Sequence, residues 1–443
     1  MEALRDLLTD ANVRWVLIGT LLLGISSGLL GCFAMLRRRS LMGDVLAHTA
    51  LPGVAVAFML TQTKSVLPLL VGAVIAGLVS TACVDVITRY SRIKEDTAQG
   101  LVLTVFFGVG VVLLTHVART GAAGQSGLNR FLFGQAASLI GNDVKVIAVA
   151  AVILTVLIVA FFKEFKLLAF DRGFGEGMGI NMLALDRLLM LMVVVGVSIG
   201  LQAVGVVLMS SLLVTPAAAA RYWTDRLEHM LLLAAAFGGV SGIVGTVVSL
   251  FGTRLATGPL IVLAATGLFV LSLIFGSRRG LLRKVLHQLR VRDRVARENL
   301  LRVLYETYET TGVDRGAEGF ARHPVPETVL AVRMGLRPRT LRRVVRIAER
   351  FGWLTVQRAA GDPNVGRLIM LTNEGLAEAQ QVTRRHRLWE MYLMYEADFA
   401  VDHVDRDADD IEHYLPPDVV EELERRLQME GREPIVPPSV HPL

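Results

Sequence analysis

The sequence predicts an α-helical polytopic membrane protein of about eight or nine transmembrane segments, followed by a mainly α winged-helix domain in the cytoplasm. Three observations carry this expectation. The chain is 53% apolar with a mean hydropathy of +0.52, too apolar for a soluble protein of 443 residues. Charge is sparse up to about Gly276 and dense after it, which separates a membrane part from a soluble part. The apolar part also breaks into successive runs of the roughly 20 residues needed to cross about 30 Å of hydrocarbon.

The runs fall near residues 13–36, 44–61, 66–87, 97–117, 144–162, 186–206, 209–222, 229–250 and 257–276. The seventh, "MSSLLVTPAAAARYW", is short and interrupted by Pro216, which reads as a half-helix packed inside a bundle. "GAVIAGLVSTA" in the third supplies the small residues that close helix packing in lipid requires. The opening "MEALRDLLTDANVRW" lacks the basic stretch of a cleavable signal, so insertion through the first span is expected. If nine segments alternate, "RRR" at 37–39, "RYSRIK" at 89–94, "KEFK" at 163–166, Arg221 with Arg226, and "SRRGLLRK" at 277–284 share one side. The other side holds little more than Lys64, Arg119, Arg130 and Arg254, which puts the amino terminus outside and the carboxy-terminal part in the cytoplasm. The formal net charge of +6 fits anionic lipid as well as nucleic acid. Cys32 and Cys83 lie in separate apolar segments and form neither a disulfide framework nor a CxxC metal knuckle.

Where the second span begins, "LMGDVLAHTALPGVAVAF" places Asp44 and His48 one helical turn apart, on one face. Three readings share that pattern: a divalent transition-metal site, a buried salt bridge, or a polar cap at the water interface. Ionisable groups inside a membrane are costly and point to function by default. Asp85 lies close to the basic cluster that follows it and is expected to pair with it. Gln202 and His116 are left as solvated or cavity-facing polar residues.

Between the fifth and sixth spans, "FDRGFGEGMGINMLALDRLL" is charged, glycine-rich and in part helical, a pattern that an ordinary loop and a docking element share. "RRRSLMGDVLAHTALPGVAVAF", "KEDTAQGLVLTVFFGVGVVLL", "FLFGQAASLI", "DRGFGEGMGINMLALD" and "LLVTPAAAARYW" follow in an order that resembles the permease subunit of metal-uptake ABC transporters for manganese, zinc or iron. The likeness covers roughly residues 10–276. It implies a homodimeric permease in the bacterial plasma membrane, two copies of a separate ATP-binding subunit on the cytoplasmic side, and an extracytoplasmic metal-binding protein. It implies that residues 170–182, with Asp171, Glu176 and Gly179, form the coupling helix seated in the ATPase. It also implies that Asp44 and His48 line the metal path, where two protomers would supply four ligands. Imidazole with carboxylate suits Mn, Fe or Zn better than Cu(I). The metal is then cargo, with no permanently bound cofactor. The sequence has no G-x-x-x-x-G-K-[ST], so the chain is expected to be a transport subunit and not an enzyme.

After the last span a basic helical stretch leads to "VPETVLAVRMGLRPRTLRRVVRIAERFGWL", which reads as helix, turn, helix. Pro338 and Gly352 bracket the second helix, and Arg339, Arg342, Arg343 and Arg346 charge it. "TVQRAAGDPNVGRLIML" follows as two strands around a turn. Together these make a winged helix whose basic element suits a DNA major groove or a lipid surface. Roughly residues 296–428 resemble the iron- and manganese-dependent repressor family, most specifically at "RRHRLWE" and "IEH". The resemblance implies a dimerisation region with His386, Glu390, Asp409, Glu412 and His413 as metal ligands. It departs at Asn299 and Arg302, where an early helix would supply further ligands, so one metal site is expected to be altered.

The expected domains are the permease at 1–276, a linker at 277–297, the winged helix at 298–375, the dimerisation and metal-sensing region at 376–430, and a tail at 431–443. A membrane-tethered, metal-responsive transcription regulator is the alternative. The coupling loop and the Asp44/His48 pair disfavour it, since a mere anchor has no use for either, and DNA is the least favoured partner.

Overall fold

A computed structural model of the chain describes residues 11–37, 39, 41–62, 66–119, 141–251, 256–311, 323–358 and 367–396. The chain divides into two compact units between Lys284 and Val285. In the first unit the helices are α1 (Ala11–Leu36), α2 (Met42–Thr61), α3 (Val66–Tyr90), α4 (Glu95–Arg119), α5 (Gly141–Ala160), α6 (Phe162–Phe170), α7 (Arg172–Gly177), α8 (Met182–Val204), α9 (Val206–Arg221), α10 (Leu227–Phe251) and α11 (Thr257–Phe275). Among the described residues eight of these are long and apolar enough to cross a membrane, and α9, at 16 residues, is the shorter ninth segment. Pro216 does not interrupt α9 as the sequence led us to expect; it sits inside one continuous helix. The turn comes earlier, at Gly205, whose φ of 91° joins α8 to α9 with no further residue between them.

The bundle is organised around α1, which packs along α10. A Cβ on Gly24 would stand 2.1 Å from the carbonyl oxygen of Gly238, so the two backbones touch directly. Lower down the same seam the hydroxyls of Thr20 and Thr246 share a hydrogen bond of 3.0 Å. Such contact recovers packing energy in a solvent as apolar as the side chains themselves. Behind α1 a core of Leu30, Phe33, Leu46, Val193, Leu213 and Ala220 is almost fully buried.

The basic clusters gather at one end of this bundle, as the alternation of spans requires. Arg37 bonds Asp186 at 2.9 Å and the Leu168 carbonyl at 3.2 Å. Lys166 meets Glu228 at 3.0 Å, and Arg279 meets Asp225 at 2.8 Å.

The second unit contains most of α12 (Leu281–Thr310), then β1 (Val325–Pro326), α13 (Glu327–Arg333), α14 (Pro338–Arg350), β2 (Leu354–Arg358), β3 (Arg367–Leu371) and α15 (Asn373–Glu396). From Leu281 on, the expected linker and the first helix of the domain are one continuous helix, α12. The sheet has the antiparallel order β1-β3-β2, with Leu354 opposite Leu371 and Val325 opposite Ile369. Pro338 opens α14, and Gly352 at φ 76° follows its end. Leu341, Val344, Val345 and Ala348 turn one face of α14 into a core with Leu300, Leu304, Leu330 and Ile369. Two helices, a third packed on them and an antiparallel hairpin follow the order of a winged helix. The strand β1 had no counterpart in the sequence reading, because two residues carry no alternation to detect.

Candidate metal path and coupling surface

Asp44 lies in the first turn of α2 and His48 one turn further on. His48 Nε2 is 3.6 Å from Asp44 Oδ1, with the side chains 21% and 42% exposed. The His48 ring meets the edge of Phe107 on α4, with centroids 5.2 Å apart and planes at 89°. Its Nδ1 is buried and has no hydrogen-bond partner among the described residues. Thr49, the next residue, donates a hydrogen bond to Ser80 on α3 at 3.0 Å, which fixes the rotation of α2. The pair is therefore held against α4, with the imidazole Nδ1 unpartnered among the described residues and the Asp44 carboxylate partly exposed. A 3.6 Å separation is longer than a hydrogen bond, so neither group is committed to the other and both can coordinate a third.

Three residues before α2, Arg39 sits among three carboxylates: Glu95 at 2.7 Å, Asp85 at 3.6 Å and Asp186 at 3.8 Å. Asp85 thus pairs with a basic cluster, but with the one at 37–39 and not with the one that follows it in sequence. Asp186 also takes Arg37, so the entry to α2 is tied to α3, α4 and α8 at one point. Sequence reasoning missed this junction as a unit. Its signal was the recurrence of single acids beside the basic end of each span.

The segment expected to couple to an ATPase is α7 and its flanks. Asp171 accepts a hydrogen bond from the Phe174 amide at 2.9 Å and so caps α7. Glu176 pairs with Arg172 at 2.9 Å. Gly179, at φ 80°, reverses the chain, and the Asn181 side chain then caps α8. Phe170, Phe174 and Met178 are each about 60% exposed on this segment. The charged residues singled out from sequence shape the segment, while these apolar side chains present its surface. Three large apolar residues in a polar loop were the sign that went unread.

In the second unit Arg339, Arg342, Arg343 and Arg346 lie on the exposed side of α14. Arg342 pairs with Glu327 and Arg343 with Asp293, each at 2.9 Å, so two of the four are committed within the unit. His386 on α15 is 1% exposed, and Arg302 Nη1 stands 2.7 Å from its Nδ1. Asp409, Glu412, His413 and the side chain of Glu390 lie outside the described residues. Among the described residues no group of three or more His, Cys, Asp or Glu converges as a metal site.

Comparison with known proteins identifies the family. A family profile described as the ABC 3 transport family matches residues 9–276. A second, described as the iron dependent repressor metal binding and dimerisation domain, matches residues 372–438. The chain is 42% identical over 433 residues to the manganese transport system membrane protein MntC of Bacillus subtilis, covering 98% of this chain and 95% of that one. It is 48% identical over 296 residues to the zinc transport system membrane protein TroC of Treponema pallidum, covering 67% of this chain and 98% of TroC. Among solved structures, PsaBC from Streptococcus pneumoniae in complex with Fab matches with a TM-score of 0.56 at 30% identity, covering 63% of this chain and 96% of that one. With eight apolar helices of spanning length this is a multi-pass membrane protein, and the relatives are membrane subunits of transport systems. The chain belongs to the ABC 3 transport family.

Proposed function

We propose that the chain is the permease subunit of an ABC importer for a divalent transition metal, Mn, Zn or Fe, in the bacterial plasma membrane. Asp44 and His48 line the metal path. The observation that carries this is the His48 Nδ1, buried without a hydrogen-bond partner among the described residues, one turn from a partly exposed carboxylate. A carboxylate and a neutral imidazole replace part of the hydration shell of a borderline cation without a thiolate's affinity, which suits an ion that must also leave. Two protomers around a two-fold axis would complete a four-ligand site. The relatives named for manganese and zinc transport support this choice of cargo.

The remaining parts follow from that reading. A separate ATP-binding subunit docks on α7 through Phe170, Phe174 and Met178, with Asp171, Glu176 and Gly179 setting the shape of the segment. An extracytoplasmic metal-binding protein delivers the ion at the opposite end. The basic end of the bundle and the second unit are cytoplasmic, with domain limits as the sequence divides them. The pairing of Arg342 and Arg343 within the unit leaves less free charge on α14 for DNA. The test is uptake of radiolabelled Mn and Zn in cells carrying Asp44→Ala or His48→Ala. Both variants are expected in the membrane at normal amount and without uptake. Normal accumulation in both would remove these residues from the metal path.

A further inference from the structure

The seam between α12 and α15 buries charge. Glu298, Arg302, His386 and Arg387 are each at most 8% exposed. Arg387 forks onto Glu309, with Nη2 to Oε2 at 2.5 Å and Nη1 to Oε1 at 3.3 Å. Arg385 faces Glu298 at 3.9 Å, and Arg302 Nε lies 3.8 Å from Glu306. In the middle of this ladder the Arg302 Nη1 approaches both ring nitrogens of His386, with Nδ1 at 2.7 Å. A guanidinium has only donors, so it can donate only to the ring nitrogen that carries no hydrogen.

The repressor resemblance implies a divalent ion at His386, with help from positions 299 and 302. The described residues around His386 do not fit one. A metal bound to an imidazole nitrogen stands about 2.0–2.1 Å from it, which would bring it against the guanidinium that Arg302 holds beside the ring. Across the described part of the seam, Glu298, Glu306 and Glu309 give three negative charges, and Arg294, Arg302, Arg385 and Arg387 give four positive ones. Among the described residues cations outnumber carboxylates, and a divalent ion would add two further positive charges to a buried site. Asn299 offers one neutral carbonyl oxygen, buried without a hydrogen-bond partner among the described residues. One neutral oxygen does not offset the repulsion between a metal ion and an adjacent guanidinium.

We propose that Arg302 is the resident cation of this seam, taking the place that a divalent ion would hold at His386, so that α12 and α15 pair without metal. The second unit then contributes a metal-independent assembly element to the transporter, and His386 acts as a structural acceptor instead of a ligand. This replaces the sensor role that the repressor resemblance implies for His386, whether or not Asp44 and His48 carry the transported ion.

Hydrogen exchange on the full chain in detergent micelles, read on peptides covering 296–311 and 373–388, tests this apart from any metal bound in the membrane part. In the unaltered chain, exchange in these peptides is expected to be the same with and without MnCl2, ZnCl2 or ferrous salt at about 1 mM, a concentration that fills any site of useful affinity. Arg302→Gln is expected to speed exchange there by at least about tenfold, since it removes one partner from a buried charged contact. Arg302→Lys, which keeps the charge, should restore most of the protection. Slower exchange in the unaltered chain on adding any of the three metals would overturn the proposal, as would unaltered exchange in Arg302→Gln. If Arg302→Gln fails to accumulate, Arg302→Lys decides: metal-independent protection supports the proposal, and protection that appears only with metal overturns it.

Discussion

Replacing Asp186 by Asn perturbs the junction where the entry to α2 is tied to α8. Asp186 is 14% exposed and holds two cations, Arg37 at 2.9 Å and Arg39 at 3.8 Å, whose side chains are 17% and 12% exposed. A fully exposed ion pair contributes about 0.2–1 kcal/mol, whereas removing one partner of a buried pair costs about 3–5 kcal/mol. Asp186 lies between these limits and nearer the second, and Glu95 and Asp85 still compensate Arg39, so about 2–3 kcal/mol is expected. For a unit of this size that corresponds to a fall of roughly 5–10 °C in the apparent melting temperature. The assay is thermal unfolding of the purified chain in detergent at a fixed scan rate, because such unfolding is irreversible and rate-dependent. Arg37→Gln and the double variant complete a cycle; the two single losses should sum to more than the double loss. A change below about 1 °C in Asp186→Asn, or strict additivity in the cycle, would refute the view that this junction is a buried electrostatic tie.

Gly238→Val places a branched side chain against the backbone of Gly24, where even a Cβ would lie 2.1 Å from a carbonyl oxygen. It should separate α1 from α10 and leave little monodisperse protein after extraction; a normal yield with normal melting would contradict the close approach. Phe174→Asp should abolish co-purification of the ATP-binding subunit, and Phe174→Ala should weaken it, because Phe174 is an exposed apolar side chain on the coupling segment. Gly179→Val imposes a φ of 80° on a β-branched residue, costs at least about 1–2 kcal/mol locally, and should weaken the same co-purification. Wild-type recovery of the subunit with Phe174→Asp would move the docking surface elsewhere.

Much of the membrane part is legible because spanning length and apolarity are properties of local sequence. The nine runs correspond to nine helices with ends shifted by a few residues, and α2 begins at Met42 two residues before the apolar run near 44. Pro216 misled because a proline in a buried helix needs only a tolerant packing environment, which sequence does not display. Asp44 and His48 were legible as a one-turn pair. The uncommitted Nδ1 of His48 was not, since it depends on Phe107 and Ser80 in other helices. The same limit applies to Arg302. Its departure from the repressor pattern was visible in one dimension, but its contact with His386 is made across 84 residues of chain.

The central claim is that Asp44 and His48 hold the transported ion between two chains. Equilibrium dialysis of the purified, detergent-solubilised protein against MnCl2 or ZnCl2, followed by metal analysis, measures it most directly. One ion per two chains is predicted, lost in both Asp44→Ala and His48→Ala and retained in Arg302→Lys. Metal bound to both alanine variants at the unaltered stoichiometry would contradict the account.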